Sequence, residues 1–216
     1  MSRLDEVEFA INPEPRCPCV LVLDTSGSMS GPRIDGLNDG IRLFKQSLVA
    51  DSLAARRVEV AIIAFASSAT LVQDFVTVDQ FEPPTLGASG TTAMGAAIEL
   101  ALDHLTKRKA DYKSSGIAYY RPWIFLITDG SPTDSIDEAR RQIADGEARK
   151  SFSFFSVGVE DADMNALSTL SSRAPLKLKG LGFGEMFVWL SASMSRVSQS
   201  KLDEQVALPP PGWGVV

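Results

Sequence analysis

The feature that most constrains this chain is a set of apolar runs without polar alternation: Val20 to Leu23, Val58 to Phe65, Trp123 to Thr128 and Phe152 to Val159. A strand with one wet face alternates polar and apolar residues. Runs that do not alternate suit strands covered on both faces, and so a parallel sheet flanked by helices. Helical spacing falls between the runs: Ile34, Leu37, Ile41, Phe44 and Leu48; Met94, Ile98, Ala101 and Leu105; Phe183, Phe187, Leu190, Met194 and Val197. The segment Thr70 to Val76 can pair back on the second run as a hairpin. The order predicts an α/β fold: a doubly wound, mostly parallel, Rossmann-like sheet with helices on both faces and one antiparallel edge strand.

A length of 216 residues suits one such domain. We divide the chain into a lead-in (1–14), the α/β domain (15–200) and a proline-rich tail (201–216) that contains LPPPGWGVV. A net charge of −6 disfavours nucleic acid as a partner, because phosphate binding rests on clustered Lys and Arg. MSRLDEVEFA lacks the basic end and apolar core of a secretion signal, and no window reaches the length of a membrane span. These features predict a cytoplasmic protein with no membrane partner. Cys17 and Cys19 are one residue apart, which suits neither a disulfide nor a full metal site, and they read as reduced packing residues.

In a doubly wound sheet, ligands bind at the carboxyl ends of the strands. Three oxygen-rich segments fall there: Asp24, Ser26 and Ser28 in LVLDTSGSMSG; Thr91 and Thr92 in GASGTTAMGAAI; and Asp129 in FLITDGSPTD. Hydroxyls and carboxylates without imidazole or thiolate suit hard cations, namely Mg²⁺, with Mn²⁺ or Ca²⁺ as alternatives. Gly27 and Gly31 let the first loop turn, and Pro32 can open a helix.

D-x-S-x-S after an apolar strand, a distant threonine before G-x-A-I, and T-D-G after a later strand together resemble the metal-ion-dependent adhesion site (MIDAS) of von Willebrand factor A (VWA) domains. The resemblance covers roughly residues 15 to 200. It implies that Ser26, Ser28 and Thr92 are hydroxyl ligands and that Asp24 and Asp129 hold the metal directly or through water. It prefers Thr92 to Thr91, because the family pattern sets its threonine just ahead of the glycine of G-x-A-I, here Gly95. NPEPRCPCVLVLDTSGSM, YYRPWIFLITDGSPTD and LKGLGFGEMFVWLSASMSRVSQS look like the bacterial, tellurite-resistance-associated TerY group, nearest its YegL-like members. That similarity implies a protein partner offering an Asp or Glu to the metal, and a setting with a protein kinase and a PP2C-type phosphatase.

An enzyme reading lacks support. The one histidine, His104, sits in a helical pattern without an evident partner, and the G-x-S-x-G match around Ser28 fails because Met29 holds the central position. Gly180, Gly182 and Gly184 read as a structural turn. The alternatives to a metal-bridged binding module are a metal-dependent phosphohydrolase, a metal-independent scaffold, and an accessory subunit of an AAA+ ATPase. KRKADYKSSGIAYYRP concentrates five basic residues and every tyrosine of the chain, and suggests a second partner surface with Tyr112, Tyr119, Tyr120 and Arg121; the other reading is a solvated helix end whose tyrosines cover the core. Trp213, in the tail, is a further partner-surface candidate. Composition does not separate a docking peptide from a tail that folds back or stays disordered.

Overall fold

A computed structural model describes residues 9–202 and 204–215. Strand β1 (Cys17–Asp24) leads through a short 3-10 turn to helix α1 (Pro32–Val49) and the short α2 (Ser52–Arg57). Strands β2 (Val58–Phe65) and β3 (Ala69–Thr77) follow, then the long helix α3 (Met94–Ser114). The chain continues with β4 (Trp123–Thr128), α4 (Asp137–Ala148), β5 (Ser153–Gly158), α5 (Met164–Ser168), β6 (Leu176–Leu178), α6 (Phe183–Gln199) and β7 (Gly214–Val215).

The strands form one seven-stranded sheet in the order β3-β2-β1-β4-β5-β6-β7. β2, β1, β4, β5 and β6 run parallel, while β3 and β7 are antiparallel edges. The second antiparallel edge departs from the sequence reading, which expects one. It arises because the tail returns to the sheet, where Gly214 pairs with Leu178 and Val215 with Lys177.

The absence of alternation in β1 has a direct cause. Cys17, Cys19, Leu21 and Leu23 pack on one face with α1 and α6, and Val20 and Val22 on the other with α3 and α4. Both faces are therefore dry, and each strand position contributes to one of two apolar layers. Both cysteines are free and buried in the first layer. Among the described residues, no helix is long and apolar enough to cross a membrane.

The sheet edge where the parallel strands begin is closed by a buried ionic cluster. Glu59, the one charge in the run VEVAIIAF, accepts hydrogen bonds from Arg16 Nε at 2.7 Å, from Arg108 Nη2 at 2.8 Å and from the Tyr112 hydroxyl. This cluster corrects the expected second partner surface. Tyr112 is fully buried, and Tyr120, only 5% exposed, donates its hydroxyl to the Ser200 carbonyl at 2.7 Å. Tyr119 is half-buried against Tyr112, leaving Arg121 as the exposed member of the set. A tyrosine can fill core space while its hydroxyl finds a partner, and here the rings seal the sheet edge instead of meeting solvent.

Trp213 is likewise corrected. It lies 5% exposed, edge-on to Trp189 with ring centroids 5.6 Å apart, while Trp189 Nε1 donates to the Pro209 carbonyl at 2.8 Å. The tail folds back because its tryptophan completes the layer beneath α6.

Candidate metal centre

β1 and β4 are neighbours and end level with each other, so Asp24 and the Thr128-Asp129 pair emerge side by side at the carboxyl edge. Asp24 is fully buried. Its Oδ1 accepts the Ser26 backbone N–H at 2.8 Å and its Oδ2 accepts the Thr128 hydroxyl. Both oxygens are thus held behind the loop. Ser26 Oγ and Ser28 Oγ lie 3.0 Å apart, and Ser28 Oγ donates to Asp129 Oδ1 at 2.7 Å.

The threonine segment arrives from the other side. The Gly27 N–H donates to the Gly90 carbonyl at 3.0 Å and Ser89 N–H to the Thr25 carbonyl at 2.8 Å, which ties the first loop to the one before α3. Thr92, 6% exposed, exchanges two hydrogen bonds with Thr133. A Cβ placed on Gly130 would lie 3.2 Å from Thr92 Oγ1 and 3.9 Å from Asp24 Oδ2, so the Thr92 hydroxyl and the Asp24 carboxylate border the same glycine. Thr91 is exposed and turns to Ser67. The structure therefore gathers Asp24, Ser26, Ser28, Thr92 and Asp129 at one edge and leaves Thr91 outside. Ser28 is the exposed member, so the cluster opens to solvent on that side.

The donor set fits a hard divalent cation. Two ligands at right angles in a Mg²⁺ octahedron are about 3 Å apart, the separation of the two serine hydroxyls. Burial raises the Asp24 carboxyl above its usual range and the nearby Asp129 charge adds to this, against hydrogen bonds from Ser26 and Thr128 that lower it. A cation there would offset two crowded carboxylates. Among the described residues no group of three or more His, Cys, Asp or Glu gathers as a metal cluster, as expected where hydroxyls dominate the donors.

Several contributors went unread in the sequence. Thr128 secures Asp24. Asp134 accepts the Gly95 and Ala96 N–H groups at the start of α3. Arg33, in the first turn of α1, donates through Nη1 to Asp129 Oδ2 at 2.6 Å and to the Ser28 carbonyl at 3.1 Å. One signal pointed to Arg33: a cation opposes the helix dipole at an N-terminus, so its placement there asks for an anionic partner. His104 lies elsewhere, stacked on Phe75 and bonded to Asp74 at 2.8 Å.

A profile of the von Willebrand factor type A domain matches residues 19–179. The chain belongs to that family. Solved structures agree on the VWA fold. A von Willebrand factor type A protein from Catenulispora acidiphila aligns with a TM-score of 0.62 at 17% identity, covering 84% of this chain and 43% of that one. The pilus adhesin SpaC from Lactobacillus rhamnosus GG aligns with a TM-score of 0.65 at 15% identity, over 84% of this chain and 31% of SpaC. Proximal thread matrix protein 1 from the mussel byssus, with a zinc-occupied MIDAS motif, aligns with a TM-score of 0.58 at 10% identity, over 84% and 48%. This chain thus spans less than half the length of each of these three structures. Comparison with curated proteins gives no match.

Proposed function

We propose that this VWA domain is a protein-binding module that uses a divalent cation, Mg²⁺ in the cell, to capture an Asp or Glu side chain of a partner. The observation that carries this reading is the convergence of Ser26, Ser28 and Asp129 within hydrogen-bond distance, with Ser28 open to solvent. Neutral hydroxyls donate little charge, so a cation held partly by them retains attraction for an incoming carboxylate. Ser26, Ser28 and Thr92 would hold the cation, with Asp24 and Asp129 adding charge directly or through water. The zinc-occupied MIDAS of the mussel protein supports a divalent ion at this place in the fold.

The module is read as non-enzymatic, because the sole histidine is engaged by Asp74 away from the cluster, and the carboxylate that accepts the Ser28 hydroxyl is itself engaged by Arg33. Its sequence resemblance to the TerY and YegL-like group favours a cytoplasmic adaptor or regulator beside a protein kinase and a PP2C-type phosphatase, in a stress-response complex.

The test is affinity capture from the native cell in Mg²⁺ or in EDTA, with wild type beside a folded Ser26→Ala/Ser28→Ala variant. The expected result is a partner retained only by wild type with metal, and lost when a single Asp or Glu of that partner is replaced. Equal retention in all samples would sink the metal bridge and favour a metal-independent scaffold.

A further inference from the structure

Arg33 is a clasp at the rim of the hydroxyl cluster. Its Nη1 holds Asp129 Oδ2, Nε donates to Glu160 Oε2 at 2.6 Å, and Nη2 reaches Asp161 Oδ2 at 3.0 Å. One guanidinium thereby joins three segments that leave the sheet at the same edge: the turn into α1, the loop after β4 and the loop after β5. Glu160 takes a left-handed backbone with φ of 44°, unfavourable for a residue with a Cβ, in the loop that brings its carboxylate to the clasp. The Arg33 side chain is 21% exposed and that of Asp129 is buried, so little water competes for the bond between them.

The clasp divides the two oxygens of Asp129. Oδ2 is taken by Arg33, whereas Oδ1 faces Ser28 Oγ and the hydroxyl pair. A carboxylate held in this way has one oxygen to offer a cation. Mg²⁺ takes single oxygens in a near-ideal octahedron; Ca²⁺ is larger, takes more ligands and readily accepts both oxygens of one carboxylate. Resting on the proposed cation site, we infer that Arg33 is a specificity-determining residue, which favours Mg²⁺ over Ca²⁺ by keeping Asp129 a one-oxygen donor.

Charge alone makes a different prediction. A positive group near the site weakens both cations, so its removal strengthens both by a similar factor. The ratio of the two affinities cancels that effect and reports the orientation of Asp129. Partners that orient a ligating carboxylate typically govern metal affinity by about 10- to 100-fold.

The experiment is calorimetric titration of wild type, Arg33→Gln and Arg33→Lys with Mg²⁺ and with Ca²⁺, after circular dichroism has established that each is folded. The Gln variant removes the charge. The Lys variant keeps the charge but replaces the planar fork by a point charge that cannot span three carboxylates. The expected result is that the Mg²⁺:Ca²⁺ affinity ratio falls about tenfold or more in both variants. A ratio within about twofold of wild type in both would overturn the role of Arg33, as would a ratio lost in Gln but kept in Lys, which would show that a single ammonium suffices and that the three-way fork sets nothing. If Gln does not fold, Lys alone decides: a lowered ratio supports the clasp and an unchanged one overturns it. Wild type that binds neither ion would instead remove the cation site on which the inference stands.

Discussion

The Asp134 carboxylate caps helix α3 through Gly95, whose N–H it accepts at 3.0 Å, with the Ala96 N–H at 2.9 Å on its other oxygen. Ala93, at the capping position itself, has no side chain able to do this. Gly95 permits the approach: a Cβ there would lie 2.1 Å from the Ser135 carbonyl. Asp134 therefore couples the loop that carries Asp129 to the helix that begins just after Thr92, and its negative charge suits the helix N-terminus.

Asp134→Ala is expected to lower stability by about 1 kcal/mol, the usual loss for an N-cap, with a shift in urea midpoint and an unchanged slope. Divalent-ion affinity should fall as well, because Thr92 loses the fixed helix start behind it. A variant with native stability would show that Asp134 carries no share of the cap.

Cation binding should be visible in stability itself. A ligand that binds only the folded state adds about 2.7 kcal/mol when its free concentration is one hundred times Kd. Millimolar Mg²⁺ should therefore raise the wild-type Tm, EDTA should reverse the rise, and Ser26→Ala/Ser28→Ala should show none. The rise also reflects relief of the Asp24 carboxylate, which burial and Asp129 disfavour in its charged form. Identical melting curves with and without metal would count against the site.

What was legible in the sequence follows from locality. The covered strands could be read from Val20 to Leu23 and its counterparts, and the placing of Asp24, Ser26, Ser28 and Asp129 at strand exits from short motifs, because each signal lies within one segment, whereas the choice of Thr92 over Thr91 came from the family resemblance alone. Asp134, Arg33 and the return of Trp213 to the sheet depend on partners distant in sequence, and no periodicity encodes such pairings. Glu59 lies between the two cases. A lone charge inside VEVAIIAF announces that buried partners exist, since an unpaired buried carboxylate is costly, yet it does not say that they are Arg16, Arg108 and Tyr112. Tyrosines at such a place look like a docking surface in sequence and become a seal in the fold.

The two cysteines yield a prediction with a definite sign. Burial, with the neighbouring Cys19 adding to it, pushes the Cys17 thiol far up, and burial pushes Cys19 from 9.0 up to about 12. Since the thiolate is the reactive form, iodoacetamide at mild alkaline pH should label the native protein at least about a hundredfold more slowly than the urea-unfolded chain. In the unfolded state these protons leave near pH 9.0, whereas the folded state keeps them to about 12 at Cys19. The contribution is full below pH 9.0 and is lost as pH rises toward 12, so alkaline stability should decline across that window and decline less in a Cys17→Ala/Cys19→Ala variant. Fast labelling of the native protein would contradict the burial of both thiols.

Trp213 separates a tail that completes the core from one that docks elsewhere. Its ring is buried against Trp189, and among the described residues its Nε1 finds no hydrogen-bond acceptor. Truncation to alanine removes a large apolar contact and should cost about 3 kcal/mol or more. Trp213→Phe keeps most of the ring contact and removes the unsatisfied N–H, whose burial carries a penalty of about 1–3 kcal/mol. The two effects oppose each other, so the Phe variant should stay within about 1 kcal/mol of wild type although it loses a whole ring. Urea unfolding of the two variants beside wild type measures the difference directly. An alanine variant of unchanged stability would mean that the tail leaves the domain in solution, freeing Pro209 to Pro211 and the tryptophan to act as a docking segment.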